Sequence, residues 1–249
     1  MFKLHCLPIL DDNYIWLIEH QHQVIAVDPG LAAPLQSWLA AHQAQLAGIL
    51  ITHHHHDHIG GLSAFAASAL PIYGPAGIAG VNHPCHDGDT LTLLGEPFQV
   101  IATPGHTLDH LAYFGAGLLF CGDTLFAAGC GRLFEGQPAQ LFDSLQRLAQ
   151  LPLQTQVCCT HEYTLSNLRF ALHVQPDNSA LLERQAIESE KRSQQQATLP
   201  STIALELATN PYLRCTDAAL FAQVKAHQPQ ITTPLDCFTA LRSWKDSFR

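Results

Sequence analysis

The strongest constraint on this sequence is a seven-residue run, THHHHDH, at residues 52–58. It lies between an apolar segment and a pair of glycines. Alternate residues of an extended segment point the same way, so His53 and His55 can converge on one ion while Asp57 and His58 reach a neighbouring position. Neutral imidazole is the commonest metal ligand in proteins. The run therefore predicts a metal-binding loop between a buried strand and the start of a helix.

A solvated polyhistidine loop or an expression tag is the competing interpretation. A tag lies at a terminus, whereas this run is placed inside the chain between an apolar strand and Gly60-Gly61. Three further candidate ligands follow apolar runs: His106, Asp123 and His161. Taken singly, each has an ordinary explanation as a satisfied polar residue or a turn. Together the seven candidates supply five imidazoles and two carboxylates, enough for two divalent ions.

Composition narrows the class of protein. The chain has 249 residues, 47% of them hydrophobic, so a sizeable core can form and intrinsic disorder is excluded. Twelve basic residues against twenty-one acidic ones give a net charge of −9, which argues against nucleic-acid or anionic membrane partners. No apolar stretch approaches the ~18–20 residues of a spanning helix. The apolar start is interrupted by Lys3, His5 and Pro8, which argues against a signal peptide. The eight cysteines contain no C-x-x-C pair. We therefore expect a soluble cytoplasmic monomer with reduced thiols.

The arrangement of apolar runs predicts an α+β fold. Runs typical of strands occur at residues 24–27, 48–51, 72–73, 90–94, 98–102, 111–114, 118–121 and 156–160. Helical patterns occur at residues 31–44, 138–150, 181–193, 217–227 and 234–245. Strands that come in pairs with few helices between them predict two packed sheets with helices outside. We expect a catalytic domain over residues 1–165 and a helical C-terminal substrate-binding subdomain over residues 166–249.

Several motifs resemble a known superfamily. The pattern H-x-H-x-D-H, a histidine in Thr103-Pro-Gly-His-Thr107, an aspartate in Cys121-Gly-Asp123 and a final histidine are similar to the metallo-β-lactamase superfamily. This resemblance implies a four-layer αββα sandwich. Over essentially its full length the chain resembles the hydroxyacylglutathione hydrolase (glyoxalase II) family within it. The closer signatures are Asp11-Asp12-Asn13-Tyr14, Gly129-Cys-Gly-Arg132, Thr160-His-Glu-Tyr163 and Arg242-Ser-Trp-Lys245-Asp.

The resemblance implies a role for each candidate ligand. The seven residues divide into His53, His55 and His106 for one metal ion, Asp57, His58 and His161 for a second, and Asp123 as a bridge. A hydroxide would be the other bridge, and Asp57 could orient this nucleophile or accept its proton. Zinc is the expected metal, and iron or manganese would also suit the ligands.

The same resemblance implies a glutathione thioester as substrate, whose carboxylates require cationic and hydrogen-bonding groups. The matching positions are Arg132, Leu133, Phe134, Tyr163, Arg242 and Lys245. Arg242 and Lys245 are also explained as cations that complement the dipole near a helix C-terminus. Two positions depart from the family pattern: Phe134 stands where an aromatic hydroxyl is frequent, and Asp109 stands where glycine is usual.

The activity implied is hydrolysis of S-2-hydroxyacylglutathiones, typically S-D-lactoylglutathione, to glutathione and a 2-hydroxy acid, the second step of methylglyoxal detoxification. Two divalent ions ~3.5–4 Å apart would bring the pKa of bridging water towards ~7, and the resulting hydroxide would attack the thioester carbonyl. Another hydrolase of the superfamily, such as a lactonase or β-lactamase, is the nearest alternative. A mononuclear iron dioxygenase would not need Asp57, His58 and His161 as ligands. The net charge of −9 disfavours a function in nucleic-acid processing. A non-catalytic metal-binding module is the alternative from a different class.

Overall fold

The computed structural model describes residues 2–66 and 69–248. The chain divides into two compact units. Unit one comprises residues 1–103, 109–123 and 158–161, and unit two comprises residues 104–108, 124–157 and 162–249. Each unit therefore contains segments that are distant in the sequence.

The first sheet of unit one has six strands in sequence order. They are β1 (Lys3–Ile9), β2 (Asn13–His20), β3 (Gln23–Val27), β4 (Gln45–Leu50), β5 (Ile72–Gly74) and β6 (His83–Pro84). Strands β1 to β3 are antiparallel, and β3 to β6 are parallel. Helix α1 (Ala32–His42) connects β3 to β4, as the sequence predicts, and its Leu35 packs in a buried cluster with Ile15 and Leu17. Burial of such apolar side chains is the main source of stability for a sheet of this kind.

The second sheet of unit one is mostly antiparallel. It contains, in spatial order, β13 (Gln156–Cys159), β10 (Leu118–Gly122), β9 (Leu111–Gly115), β8 (Glu96–Ala102) and β7 (Thr90–Leu93). Buried aromatic side chains connect it to the first sheet. The indole Nε1 of Trp16 donates to the carbonyl of Cys159 at 2.9 Å, and the hydroxyl of Tyr113 donates to the carbonyl of Ile51 at 2.6 Å. The polar groups of these large side chains are thus satisfied inside the core.

Strand ends position the predicted metal ligands. Strand β4 ends at Leu50, and the histidine run follows as a loop into the short helix α2 (His56–Ile59). A backbone hydrogen bond joins this loop to the start of β9: the amide of Leu111 donates to the carbonyl of Thr52 at 2.8 Å. A backbone bridge likewise pairs Asn13 with His161. Loops on a rigid pair of sheets are a common support for functional side chains.

Unit two is largely helical. Its helices are α3 (Pro138–Ala149), α4 (Thr164–Val174), α5 (Ser179–Ser193), α6 (Ile203–Thr209), α7 (Ala218–His227) and α8 (Pro234–Ser247). It also contains a hairpin of β11 (Leu125–Phe126) and β12 (Gly129–Cys130), and the strand β14 (Ser201–Thr202), which pairs with the first half of β13. Short 3-10 helices occur at Leu62–Phe65 in unit one and Pro211–Leu213 in unit two.

Sequence patterns predicted α3, α5, α7 and α8 to within about two residues, but they missed α4 and α6. Helix α4 does carry a helical signal, since Leu168, Ala171 and Val174 are buried at a spacing of three residues. Strands β1 and β2 were also missed. None of the helices in the described residues combines the length and hydrophobicity needed to cross a bilayer.

Helix α8 begins with a capping box that can be tested. The hydroxyl of Thr233 accepts from the amide of Asp236 at 3.1 Å, and the carboxylate of Asp236 accepts from the amide of Thr233 at 2.9 Å. We expect Thr233→Ala to lower the free energy of unfolding by about 1 kcal/mol in urea denaturation, because the acceptor is lost. Thr233→Ser keeps the acceptor and serves as the control. Equal stability of the two variants would contradict this role.

Candidate metal centre

Six of the seven predicted ligands belong to unit one: His53, His55, Asp57, His58, Asp123 and His161. Among these six residues, two groups of three have ligand atoms that all lie within 4.8 Å of one another. One group is His53, His58 and Asp123, and the other is Asp57, His58 and His161. Since His58 belongs to both, the two groups form one continuous cluster.

His58 is fully buried and is oriented by Asp28. Its Nδ1 lies 2.9 Å from Oδ2 of Asp28, and because a carboxylate can only accept, Nδ1 carries the hydrogen. Nε2 is then the ring nitrogen available to a proton or a metal ion. It makes no hydrogen bond within residues 2–66 and 69–248, and it lies 3.4 Å from Oδ1 of Asp123. A buried nitrogen facing a carboxylate in this way fits a cation held by both.

His161 repeats this arrangement. Its Nδ1 lies 2.8 Å from Oδ1 of Asp12, so this carboxylate fixes the hydrogen on the outer ring nitrogen. Its Nε2 is 3.4 Å from Oδ2 of Asp57 and 3.4 Å from Oδ1 of Asp123. The side-chain amide of Asn13 donates to Oδ2 of Asp57 at 2.8 Å and holds that carboxylate in place.

His53 and His55 present ring nitrogens to each other. The hydroxyl of Thr52 donates its hydrogen to Asp28 at 2.7 Å, so it acts as acceptor towards Nδ1 of His53 at 3.0 Å. The hydrogen of His53 therefore resides on Nδ1, and its Nε2 faces Nδ1 of His55 at 3.0 Å. Two imidazole nitrogens at this separation suit a shared metal ion.

The charges in the cluster favour a bound cation. Burial lowers the pKa of His161, but the carboxylates of Asp123 and Asp12 outweigh burial and raise its pKa to about 9. The pKa of His58 follows the same pattern: burial lowers it, and neighbouring carboxylates raise it by more. Burial raises the pKa of Asp57, but nearby imidazole charge and an amide hydrogen bond lower it below its ordinary value. A metal ion would replace these protons, so binding should release them.

His110 supports Asp123 through the backbone. Its Nε2 accepts from the amide of Asp123 at 3.1 Å, and its Nδ1 lies 2.8 Å from the hydroxyl of Thr103. Gly122, immediately before Asp123, has φ +46°, and a Cβ there would lie 2.4 Å from the hydroxyl of Thr52. Only glycine fits this position.

His54 pairs with Asp109, one of the two departures from the family pattern. Its Nδ1 lies 2.9 Å from Oδ2 of Asp109, and both side chains are partly exposed. The carboxylate at position 109 thus has an imidazole neighbour of its own.

Sequence reasoning missed the groups that orient the ligands. Asp28 directly follows the predicted strand at residues 24–27, and Asp12 and Asn13 belong to the signature Asp11-Asp12-Asn13-Tyr14. Each is a polar residue at the end of a buried strand or in a turn, and this position is the feature of the sequence that could have identified it. Nothing in the spacing along the chain shows that Asp28 meets His58, because their contact forms only when the loops fold together.

The seventh predicted ligand, His106, belongs to unit two. Its Nδ1 lies 2.8 Å from the carbonyl oxygen of Arg132, which can only accept, so Nδ1 carries the hydrogen and Nε2 can bind a metal ion. The ring of Phe134 packs edge-on at 5.2 Å between centroids, and its amide donates to the carbonyl of His106 at 3.2 Å. The 132–134 segment thus fixes the orientation of this imidazole.

The predicted substrate-binding residues also lie in unit two. Arg132 has 69% of its side chain exposed, and Phe134 and Tyr163 are 64% and 37% exposed. Leu133 is partly buried. Nζ of Lys245 donates to the carbonyl of Ser166 at 3.0 Å.

Arg242 differs from these residues because its guanidinium is buried. Nη1 donates to the carbonyl of Cys130 at 3.0 Å, and Nη2 donates to Asp246 at 2.9 Å. The same carboxylate lies 3.8 Å from Nε of Arg132. Asp246 therefore links a buried guanidinium to an exposed one.

Two family profiles together cover nearly the whole sequence. Residues 9–77 and 80–161 match the metallo-beta-lactamase superfamily, and residues 162–248 match the family described as hydroxyacylglutathione hydrolase C-terminus. Curated relatives are similar over their full length. The hydroxyacylglutathione hydrolase of Pseudomonas aeruginosa is 50% identical over 100% of both chains. That of Edwardsiella ictaluri is 51% identical over 97% of this chain and 98% of the relative.

Solved structures show the same fold. ETHE1 from Myxococcus xanthus has a TM-score of 0.65 at 23% identity and covers 98% of both chains. TTHA1623, solved in a di-iron-bound form, has a TM-score of 0.59 at 26% identity and covers 85% of this chain and 100% of its own. The predicted metallo-β-lactamase fold, with a helical C-terminal region, is confirmed. The superfamily match and the clustered ligands support binding of divalent metal by this chain.

Asp28 provides a test of the cluster outside its ligands. We expect Asp28→Asn to weaken metal affinity by about 10–100-fold, because an amide has one acceptor oxygen and cannot accept from the Thr52 amide at one position and from the Thr52 hydroxyl and His58 at the other, as the carboxylate does. Elemental analysis after dialysis against a competing chelator measures the effect. Glu96→Gln removes a negative charge from an exposed position in the same unit and should retain metal. Parent-like affinity of Asp28→Asn would contradict the orienting role.

Proposed function

Because the chain belongs to the hydroxyacylglutathione hydrolase family of the metallo-β-lactamase superfamily, we propose that it hydrolyses S-2-hydroxyacylglutathiones, typically S-D-lactoylglutathione, to glutathione and a 2-hydroxy acid. This is the second step of methylglyoxal detoxification. The observation that carries the proposal is the convergence of Nε2 of His58 and Nε2 of His161 on the carboxylate of Asp123, each at 3.4 Å. Both outer ring nitrogens are held by further carboxylates, an arrangement suited to metal-assisted hydrolysis.

The donor set fits two divalent ions. We assign the ligands as His53, His55 and His106 for one ion, Asp57, His58 and His161 for the other, and Asp123 between them. Support comes from the two groups that share His58 and from the hydrogen on Nδ1 of His106, which leaves Nε2 available. Zinc is the expected metal, with iron or manganese as alternatives. When bound, such ions lower the pKa of coordinated water and polarise a carbonyl oxygen.

Asp57 is the residue best placed to handle the nucleophile. Its carboxylate is partly exposed, is held by Asn13, and has a pKa below its ordinary value, so it is ionised at neutral pH. It can therefore orient an attacking water or accept its proton. In the reaction the water oxygen adds to the thioester carbon, the carbon–sulfur bond breaks, and sulfur leaves as a thiolate. A thiolate is a stable leaving group, so no general acid is required.

Unit two supplies the groups for the glutathione portion. We assign the substrate carboxylates to the cations of Arg132 and Lys245, and the peptide to Tyr163 and the 133–134 segment. Arg242 is the remaining position that matches the family. Its guanidinium is buried and donates to the carbonyl of Cys130, so it stabilises the backbone next to the exposed residues. We also propose the boundary near residue 165 between a catalytic domain and a C-terminal substrate-binding subdomain, supported by family profiles that meet between residues 161 and 162.

The cytoplasmic location, the monomeric state and the lack of nucleic-acid or membrane partners stay predictions. Fractionation of cells and size-exclusion chromatography of the purified chain would test the first two.

Turnover of S-D-lactoylglutathione tests the proposed activity. We expect zinc-loaded protein to release thiol, detected with a thiol-reactive dye, to lose activity on chelation and to regain it on metal return. A simple lactone and a β-lactam should react poorly in the same preparation. Metal-loaded, folded protein that hydrolyses either of these but not the thioester would overturn the proposal in favour of another superfamily hydrolase, and no turnover of any would indicate a binding module.

Phe134 offers a gain-of-function test. We expect Phe134→Tyr to lower the KM for the glutathione thioester about 2–10-fold, the equivalent of one added hydrogen bond of about 0.5–1.5 kcal/mol to the peptide. Phe221→Tyr, on α7, is the matched control and should leave KM unchanged. Steady-state kinetics measures both. A KM for Phe134→Tyr equal to or above the parent value would contradict contact of this ring with substrate.

Lys245 predicts a pH dependence. Its pKa is lowered to about 8, first by burial and then by the nearby cations of Arg242, Arg169 and Arg132, which Asp246 only partly offsets. The ammonium is therefore charged below about pH 8 and neutral above it, so attraction to a substrate carboxylate weakens as the pH rises. We expect KM to increase about 10-fold between about pH 7 and about pH 9.

Lys245→Arg is the control, since a guanidinium stays charged over this range and should flatten the dependence. The substrate carboxylates remain ionised throughout. An identical pH profile of KM for the parent and Lys245→Arg would show that Lys245 does not contact the substrate.

A further inference from the structure

A buried cluster in unit two holds the backbone of the hairpin β11–β12. The side-chain amide of Asn210 donates to the carbonyl of Phe126 at 3.1 Å and to the carbonyl of Gly129 at 2.8 Å. Oε2 of Glu206 accepts from the amide of Ala128 at 2.8 Å and lies 3.0 Å from Nδ2 of Asn210, whose two hydrogens are shared among its three acceptors. These two side chains therefore bind both strands of the hairpin and its turn.

Two other helices complete the attachment. The amide of Asn167, on α4, donates to the carbonyl of Ala127 at 3.1 Å. The guanidinium of Arg242, on α8, donates to the carbonyl of Cys130 at 3.0 Å. Five backbone groups of the hairpin, four carbonyls and one amide between Phe126 and Cys130, thus have side-chain partners, which is unusual because backbone groups in a sheet normally pair with another strand. The hairpin is held by side chains, so its position depends on them.

The cluster is rigid because it is buried and its carboxylate and amide are hydrogen-bonded on several sides. Asn210 and Glu206 are both 0% exposed. The second carboxylate oxygen of Glu206 accepts from Arg184 at 2.7 Å and also from the hydroxyl of Ser201. A buried ion pair is tolerated only with good geometry and further hydrogen bonds, and here both carboxylate oxygens of Glu206 accept from several donors, so alternative positions of this side chain are strongly disfavoured.

The segment that follows β12 contributes to the proposed site in two ways. Two residues beyond β12, the carbonyl of Arg132 accepts from Nδ1 of His106 and so sets the orientation of that imidazole. The side chain of Arg132 is exposed and is assigned to the substrate. Displacement of the hairpin would therefore move a predicted metal ligand and a predicted substrate contact together.

We infer that Asn210 is a positioning residue of the active site, which acts by fixing the hairpin that orients His106 and presents Arg132. This inference rests on the proposed function for its kinetic consequence, while its effect on metal retention is independent of any substrate. The competing explanation is that Asn210 only adds stability to the helical region. In that case KM and metal affinity would not change in protein that is folded.

The test compares Asn210→Ser with Thr209→Val in the full chain. Serine keeps an oxygen that can accept from the amide of Tyr212, as Asn210 does at 3.0 Å, but it cannot reach both hairpin carbonyls. Thr209→Val removes the hydroxyl that binds Arg184 in the same buried cluster and has no role at the hairpin. Both variants should lower Tm. Only Asn210→Ser should raise the KM for S-D-lactoylglutathione and the Kd for glutathione, each by about 10-fold, since small displacements at a site are costly.

Metal retention gives the second measurement. We expect Asn210→Ser, assayed as folded protein well below its Tm, to lose about 10-fold in zinc affinity, because the partner of His106 moves. Should Asn210→Ser fail to fold, Asn167→Ser, which removes only the bond to Ala127, is used instead. Parent-like KM, glutathione Kd and zinc affinity in the folded variant, or equal changes in Thr209→Val, would overturn the inference. If the parent itself does not hydrolyse the thioester, the proposed function fails, and zinc affinity alone still decides the role of Asn210.

Discussion

Carboxylates that surround inward-facing imidazoles are the interaction on which the rest of the structure depends. Nε2 of His58 and Nε2 of His161 face the carboxylate of Asp123, while Asp28 and Asp12 hold the outer nitrogens. So many negative charges around two buried imidazoles favour a cation, and the raised pKa values of both histidines agree with this. The two sheets bring the strand ends and loops that carry these residues close together.

In unit two, the predicted ligand His106 is also oriented by a hydrogen bond from its outer ring nitrogen, but the acceptor is of a different kind. A backbone carbonyl, that of Arg132, does for His106 what a carboxylate does for His58. That carbonyl is itself placed by a hairpin that Asn210 and Glu206 hold. Arg242 belongs to this support as much as to the substrate contacts that the family resemblance implies, because its guanidinium is buried against Cys130. Binding and support are thus shared among neighbouring cations.

Local patterns in the sequence were sufficient for most regular elements. Helices α3 and α8 begin with proline and carry clear helical spacing, so their bounds were predicted closely. Helix α4 was missed because polar residues, such as the buried Thr164 and Asn167, occupy its inner face and obscure the apolar spacing. Those polar residues are buried because they bond to Thr198 and to the hairpin, which is a consequence of tertiary contacts. Propensity reflects neighbours in sequence and cannot register such partners.

The sequence by itself determined the chemistry available to this protein: five imidazoles and two carboxylates in a superfamily pattern, and the cations in positions typical of the family. Short-range spacing could do this because ligand identity and motif order are properties of the chain. Only the tertiary structure decided which polar groups orient those ligands, that Arg242 is buried while Arg132 is exposed, and that Asn210 holds a distant hairpin. These facts depend on contacts between residues far apart in sequence, whose distances and burial are set by packing and leave no periodic signal along the chain.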